Sequence, residues 1–359
     1  MPEDLRAVNR RGGGRRREDR RREDRRGVDR PRPPRETEKP EPAPPANLAP
    51  PPGNLAPPPA NLAFPPRNPA SPPRNLPPPP GGILWDVTGE IRTLLTLPPA
   101  LALQVAHPAV GAGVDEHSVF RTDPWGRGER SLRSLQLWVY GGQAAAEEGR
   151  RLRRLHRTIR GTDAHGCPYH ALMPEAYVWV HASGFPVMRH ARQYLDRRPY
   201  TDAEERQLYA EWLQVGRVLG IRDRDMPQTI EEFWPYYRNM LAEELELTTV
   251  AREIVAVDGL VPPPDHVPLP LRLALRALWP VLLPPFVRLR RFVTIGLMPP
   301  GAREAIGLPW TPVQERRLRR FGRVVRTVVP LLPERLRYFP LARRARAAHR
   351  AATAPRTGR

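Results

Sequence analysis

Residues 140–161 read YGGQAAAEEGRRLRRLHRTIRG, and their spacing predicts a helix over about 143–160. Leu152, His156 and Ile159 stand four and three residues apart, so they share one side of that helix. Arg150, Arg151, Arg154 and Arg157 crowd the remainder. A helix with one apolar stripe and one charged face buries the stripe against other elements. An imidazole on such a stripe is either a hydrogen-bonded core residue or a neutral ligand presented to a metal. The stripe alone leaves both readings open.

Outward from this segment the same periodicity recurs. Helical spacing runs from Trp85 to Leu103, then over about 131–140, 174–195, 202–219, 229–256, 268–279, 312–329 and 340–351. Start signals agree with two of these: Thr201-Asp202 precedes AEERQLYAEW, and Thr229 is followed three residues later by Glu232, the pattern of a capping box. Alternating β-branched runs are nearly absent. The fold class is therefore all-α, with a single large helical domain over 83–345.

The residues before that domain have a different texture. Of the 49 prolines, 22 fall within 31–80, and a residue with fixed φ and no amide donor builds neither helices nor central strands. Residues 1–40 form a charged tract with a near-duplicated RREDRR, and 41–82 hold a heptapeptide repeat in which Asn47, Asn54, Asn61, Asn68 and Asn75 recur in variants of NLAPPPA. Both are expected to be disordered, the second as a stiff polyproline tether. A basic disordered tail is expected over 346–359.

The net charge of +20 belongs to the ends: 15 basic against 9 acidic residues in 1–40, and 20 against 4 in 260–359. A solvated arginine surface explains this most simply. The basic C-terminal third, with apolar pieces such as Leu278–Val287, also suits peripheral contact with an anionic membrane. Nucleic acid is an unlikely partner, because aromatic residues are only 7% of the chain and are not interleaved with the basic ends. No signal peptide is readable, and the run Ala277–Val287 is interrupted by Pro280, Pro284 and Pro285, well short of the roughly 20 apolar residues a spanning helix needs. A cytoplasmic setting is expected.

Cys167 is the single cysteine, so no intrachain disulfide or thiolate cluster exists. HExxH, GxSxG and P-loop patterns are missing, as is any Glu three residues before a histidine. Classical zinc-protease, serine-hydrolase, NTPase and di-iron readings lose their support. His165, Cys167 and His170 share one turn, but no fourth zinc ligand is evident. His181 lies among Val178, Phe185 and Met188 at helical spacing, and His107 precedes a proline near a helix end. On a rigid helix facing an apolar cavity, an imidazole such as His156 has the character of a proximal haem ligand. Arg127, Arg130 and Ser131 enter the helix that leads to Trp138 and Tyr140, with Arg127 and Ser131 one turn apart.

The ordered strings LQVAHPAVGAGVDEHS, DPWGRGERS, YGGQAAAEEGRRLRRLHRTIRG and GCPYHALMPEAYVWVHAS resemble the catalytic domain of the MpaB and rubber-oxygenase family. YAEWLQVGRVLGI, MPQTIEEFWPYYRNML and VTIGLMPPGAREAIGLPWTP continue the likeness, which covers about 83–345. The resemblance implies an all-α fold around a b-type haem with an axial histidine, using dioxygen to cleave carbon–carbon double bonds of isoprenoid chains. The rubber branch carries a distal R-x-x-K-T pattern, which places Arg127 at the distal arginine, Arg130 at the lysine and Ser131 at the threonine. His156 falls at the axial, iron-binding position, with His181 in reserve and His107 as a further haem-pocket candidate. Arginine for lysine and serine for threonine depart from that pattern, and together with the unread secretory signal they favour a smaller apolar substrate over rubber. The rival expectation is a non-catalytic protein of the same fold that binds a lipid or a partner.

Overall fold

The computed structural model describes residues 76–256 and 269–354. The charged tract, nearly all of the proline repeat and residues 355–359 lie outside the described residues. The chain divides into two units, Met1–Ala60 and Asn61–Arg359, and every described residue belongs to the second.

The described residues are mostly helical. The elements run α1 (Ile83–Thr88), α2 (Thr93–Val105), α3 (Pro108–His117), α4 (Pro124–Tyr140) and α5 (Gln143–His156), followed by the strands β1 (Arg160–Thr162) and β2 (Pro168–His170). Next come α6 (Pro174–Ala182), α7 (Gly184–Leu195), α8 (Asp202–Val218), α9 (Ile230–Glu243) and α10 (Thr249–Ala256). The chain closes with α11 (Leu269–Leu297), α12 (Pro300–Ala305), α13 (Pro312–Val328), α14 (Glu334–Arg337) and α15 (Pro340–Thr353). Among the described residues no single helix is long and apolar enough to cross a membrane.

Several predicted helices are cut where a local force outweighs periodicity. The helix expected over 143–160 stops at His156, because Arg160–Thr162 pairs antiparallel with Pro168–His170. Thr158 and Ile159, just before the strand, are β-branched and hold a helix weakly. The turn between the strands is closed by Asp163, whose Oδ1 accepts from the amides of His165 (3.0 Å) and Cys167 (2.9 Å). The expected 174–195 helix breaks at Ser183, since Pro186 offers no amide to the carbonyl of Ala182 and crowds it.

Likewise 229–256 divides at residues 244–248, where the backbone turns to bond the end of α2. Glu246 N–H donates to Ala106 O (3.0 Å) and the Thr248 hydroxyl donates to Val105 O (2.7 Å). Thr201 and Glu204 complete a full capping box on α8. Thr229 caps α9 by accepting from Glu232 N–H (3.2 Å), but the Glu232 carboxylate accepts from Gln228 N–H instead (2.9 Å).

The core gathers on α2, α6, α7, α8 and α9, with Leu103, Trp179, Phe185, Tyr209 and Phe233 fully buried. Phe185 stands edge-on to Tyr209 and to Phe233, each with centroids 5.0 Å away, a favoured aromatic geometry. Two walls around this core matter for the site. Helix α4 packs on α5, and α5 approaches the end of α8 so closely that a Cβ on Gly149 would stand 2.0 Å from Val218 O. The two ends of the unit also meet. Glu90, buried in the break between α1 and α2, pairs with Arg92 and with Arg337 (2.6 Å), and an isolated bridge joins it to Tyr338. The tail expected from residue 346 is helical as far as Thr353, because Arg346 pairs with Asp86 (2.8 Å) and lies over Trp85.

Candidate active site

Where α2, α3, α4, α5, α6 and α8 converge, they enclose a cavity of about 580 Å³, within the range of small-molecule and cofactor sites. Leu101, Val114, Leu135, Leu152, Val180 and Met188 give its wall an apolar character. Arg127, Arg130, Ser131, His156 and His181 all line it, so one hollow gathers residues from three stretches of sequence. His107 is not part of that lining.

His156 closes α5, half-buried. Its Nδ1 stands 2.7 Å from the carbonyl of Leu152 one turn back, an acceptor that requires the proton on Nδ1. The ring lies edge-on to Tyr177, with centroids 6.1 Å apart, and Tyr177 is itself held by donation to Leu219 O (3.0 Å). No described residue hydrogen-bonds Nε2.

His181 is held differently. Its Nε2 lies 2.9 Å from Trp212 O, the Trp212 indole N–H donates back to His181 O (3.2 Å), and the two rings stack at 4.8 Å. Burial pushes its pKa down to about 4, so the ring is neutral. Gly216 provides the room, since a Cβ there would meet His181 Nε2 at 3.1 Å.

The arginines divide as well. Arg127 is half-buried, donates from Nε to Ser118 Oγ (2.8 Å) and has no carboxylate partner among the described residues. Burial and the neighbouring Arg130 push its pKa down. Arg130 is exposed and spends two donors on Asp123 Oδ2, each at 3.1 Å. Ser131 is exposed to the cavity mouth.

Ser118, Tyr177 and the α4–α5 link were not singled out in the sequence. In that link Ser134 donates to Glu148 (2.5 Å), and Arg151 binds both oxygens of the same carboxylate at 2.7 Å. Arg151 and Ser134 hold Glu148 below the usual carboxylate range. Serine and glutamate fourteen residues apart carry no pattern that would have revealed them. The turn of His165, Cys167 and His170 shows no zinc geometry: His165 faces Glu246 (3.0 Å), His170 Nε2 faces Arg157 O (3.0 Å), and Cys167 is exposed.

The family described as ER-bound oxygenase mpaB/B'/rubber oxygenase, catalytic domain, matches residues 85–327. Uncharacterized proteins of Mycobacterium bovis (Mb2261) and Mycobacterium tuberculosis (Rv2237) are each 26% identical over 251 residues, covering 68% of this chain and 92% of their own length. No solved structure matches the chain significantly. The chain belongs to the MpaB and rubber-oxygenase catalytic-domain family.

Proposed function

We propose that this family member is a haem b-dependent oxygenase acting with dioxygen on a hydrophobic, unsaturated, isoprenoid-like small molecule, by oxidative cleavage of a carbon–carbon double bond. The observation that carries the reading is the uncommitted Nε2 of His156 on the wall of a 580 Å³ apolar cavity. A ligating histidine characteristically donates its other ring proton to a carbonyl or carboxylate, and Leu152 O already takes that role. Trp138, in the same wall, has a buried indole N–H with no partner among the described residues, a donor available to a bound group. These features suit a haem held by His156.

Bound there, the haem iron would supply the redox chemistry that activates dioxygen. The chain's own residues supply the rest. Leu152 O fixes the His156 tautomer and keeps the proton on Nδ1. Arg127, without an acidic partner among the described residues and partly desolvated, offers strong donors to negative charge developing in the cavity, where a low dielectric strengthens them. Ser131 adds a hydroxyl donor nearby. The apolar wall excludes water and binds the hydrocarbon part of the substrate.

The proposal extends to a peripheral membrane setting on the cytoplasmic side. On α11, Leu271, Leu278, Val281, Leu282 and Phe286 are exposed, and Arg272, Arg276 and Arg288 accompany them. Apolar and basic residues on one exposed helix suit an anionic lipid interface.

An absorption spectrum of the protein, expressed with a haem supply and recorded before and after dithionite, tests the reading. The expected result is a Soret band that shifts on reduction and is lost in His156→Ala. A protein that stays colourless after haem reconstitution would instead be a non-catalytic binder of the same fold.

A further inference from the structure

His107 sits at the corner where α2 and α3 meet at 106°. Pro108 follows it as the first residue of α3, so the corner is rigid: the proline fixes φ and needs no amide partner. The His107 ring is only 6% exposed. Neither Nδ1 nor Nε2 has a hydrogen-bond partner among the described residues, which is rare for buried polar atoms and asks for an explanation. Burial disfavours the charged form of the ring, and a neutral imidazole keeps a lone pair on one nitrogen.

Two carboxylates stand beside it. Glu175 lies in the first turn of α6 and Glu244 directly follows α9. One ligand atom from each of His107, Glu175 and Glu244 lies within 4.8 Å of the others. Atoms bound to one cation at about 2.0–2.2 Å stand at most about 4.4 Å apart. The exposed Glu175 side chain closes that gap with a small rotation. The hydroxyl of Tyr236 is also buried without a partner among the described residues.

We propose that His107, Glu175 and Glu244 form a binding site for one divalent transition-metal ion, outside the large cavity and independent of any haem. One imidazole and two carboxylates suit Zn²⁺ or Mn²⁺ rather than Cu⁺ or an iron–sulfur cluster, because the set holds no soft sulfur. Two negative charges and a neutral ring balance a dication. The ion fastens the start of α3, the start of α6 and the end of α9. Val105 and Ala109 flank His107, and Ala176 and Tyr177 follow Glu175; all four line the cavity, so the site anchors that wall from behind.

The test uses the untagged full chain, stripped with EDTA and titrated with Zn²⁺ and, separately, Mn²⁺. Calorimetry, metal analysis after gel filtration and thermal melting are the readouts. One equivalent of bound Zn²⁺ or Mn²⁺ and a raised Tm are expected. Glu175→Gln combined with Glu244→Gln keeps side-chain shape at partly exposed positions, and it should lower affinity at least about 100-fold. Cys167→Ala and His156→Ala should retain the ion. The proposal is overturned by substoichiometric binding of both ions with no shift in Tm, or by retention of the ion in the double Gln variant. Loss of the ion in Cys167→Ala would also overturn it, by moving the site to the exposed hairpin turn. Zn²⁺ and Mn²⁺ are counted separately from haem iron, so this result is independent of the Soret measurement.

Discussion

His156 and His181 both sit on apolar helical stripes and both line one cavity, yet the α5 wall and the α6–α8 wall use their imidazoles in contrasting ways. On α5 the ring reaches back one turn to Leu152 O and leaves Nε2 uncommitted. On the other wall the ring stacks on Trp212 and gives Nε2 to its carbonyl, while the indole answers with a bond of its own. Two residues of identical chemistry thus become a candidate ligand and a structural cross-brace. Position on a stripe does not distinguish them. The partner of each ring nitrogen does.

The sharpest way to break this contrast is to exchange the two roles. His156→Ala should abolish the Soret band, whereas His181→Gln should keep it while losing about 1–3 kcal/mol of stability from the severed pair. A band that survives the first change and vanishes in the second would invert the assignment. Next in size is the contrast between the two arginines of α4. Arg127→Leu should slow the oxidation in air of dithionite-reduced, desalted protein by about 100-fold. Arg130→Leu, whose guanidinium is already engaged by exposed Asp123, should change that rate little. Equal effects would remove the distinction drawn from burial.

Acid titration sharpens the other wall. His181 has a pKa of about 4 in the fold, against about 6.5 in the unfolded chain. As pH falls through 6.5 the unfolded chain takes up a proton that the folded chain refuses until about pH 4. Stability is therefore full above 6.5 and declines across that window, by up to about 3 kcal/mol from this ring alone. His107 and His190 shift in the same direction. Urea midpoints between pH 7.5 and 4.5 should fall steadily in the native protein and less steeply in His181→Gln; a flat native profile would show that burial does not hold these rings neutral. The smallest effect expected is at the seam between the walls. Gly149→Ala places a Cβ 2.0 Å from Val218 O, so α5 must move off α8 at a cost of about 1–2 kcal/mol, read as a lower urea midpoint.

Much of this architecture could be read in advance because helices advertise themselves at short range. Periodicity and capping placed α5, α8 and α13 within four residues, whereas α4 begins seven residues before its expected start at 131. The missed breaks share a physical origin. Residues 244–248 leave the helix to bond Val105 and Ala106, more than a hundred positions away, and the end of α5 yields to a strand partner beyond a turn. Such distant competitors leave no local trace. The site was legible to the same degree. Arg127, Arg130, Ser131, His156 and His181 do share a hollow, whereas His107, a further haem-pocket candidate, stands apart with two glutamates whose approach no interval along the chain announces. Ser118 escaped notice for the same reason: its grip on Arg127 depends on the path between α3 and α4.

Glu90 has a consequence for how this molecule is made. Its carboxylate is engaged by Arg337, 247 positions downstream, beyond the stretch that the family match covers. At a ribosome's pace of about 5–20 residues per second, that partner emerges on the order of ten to fifty seconds later. Until then the nascent chain carries an acid that has only Arg92 to answer it, and the first two helices have no lid to lie against. The fold is thus fastened like a buckle, a late piece into an early one, and these helices are whole only once Arg337 has emerged.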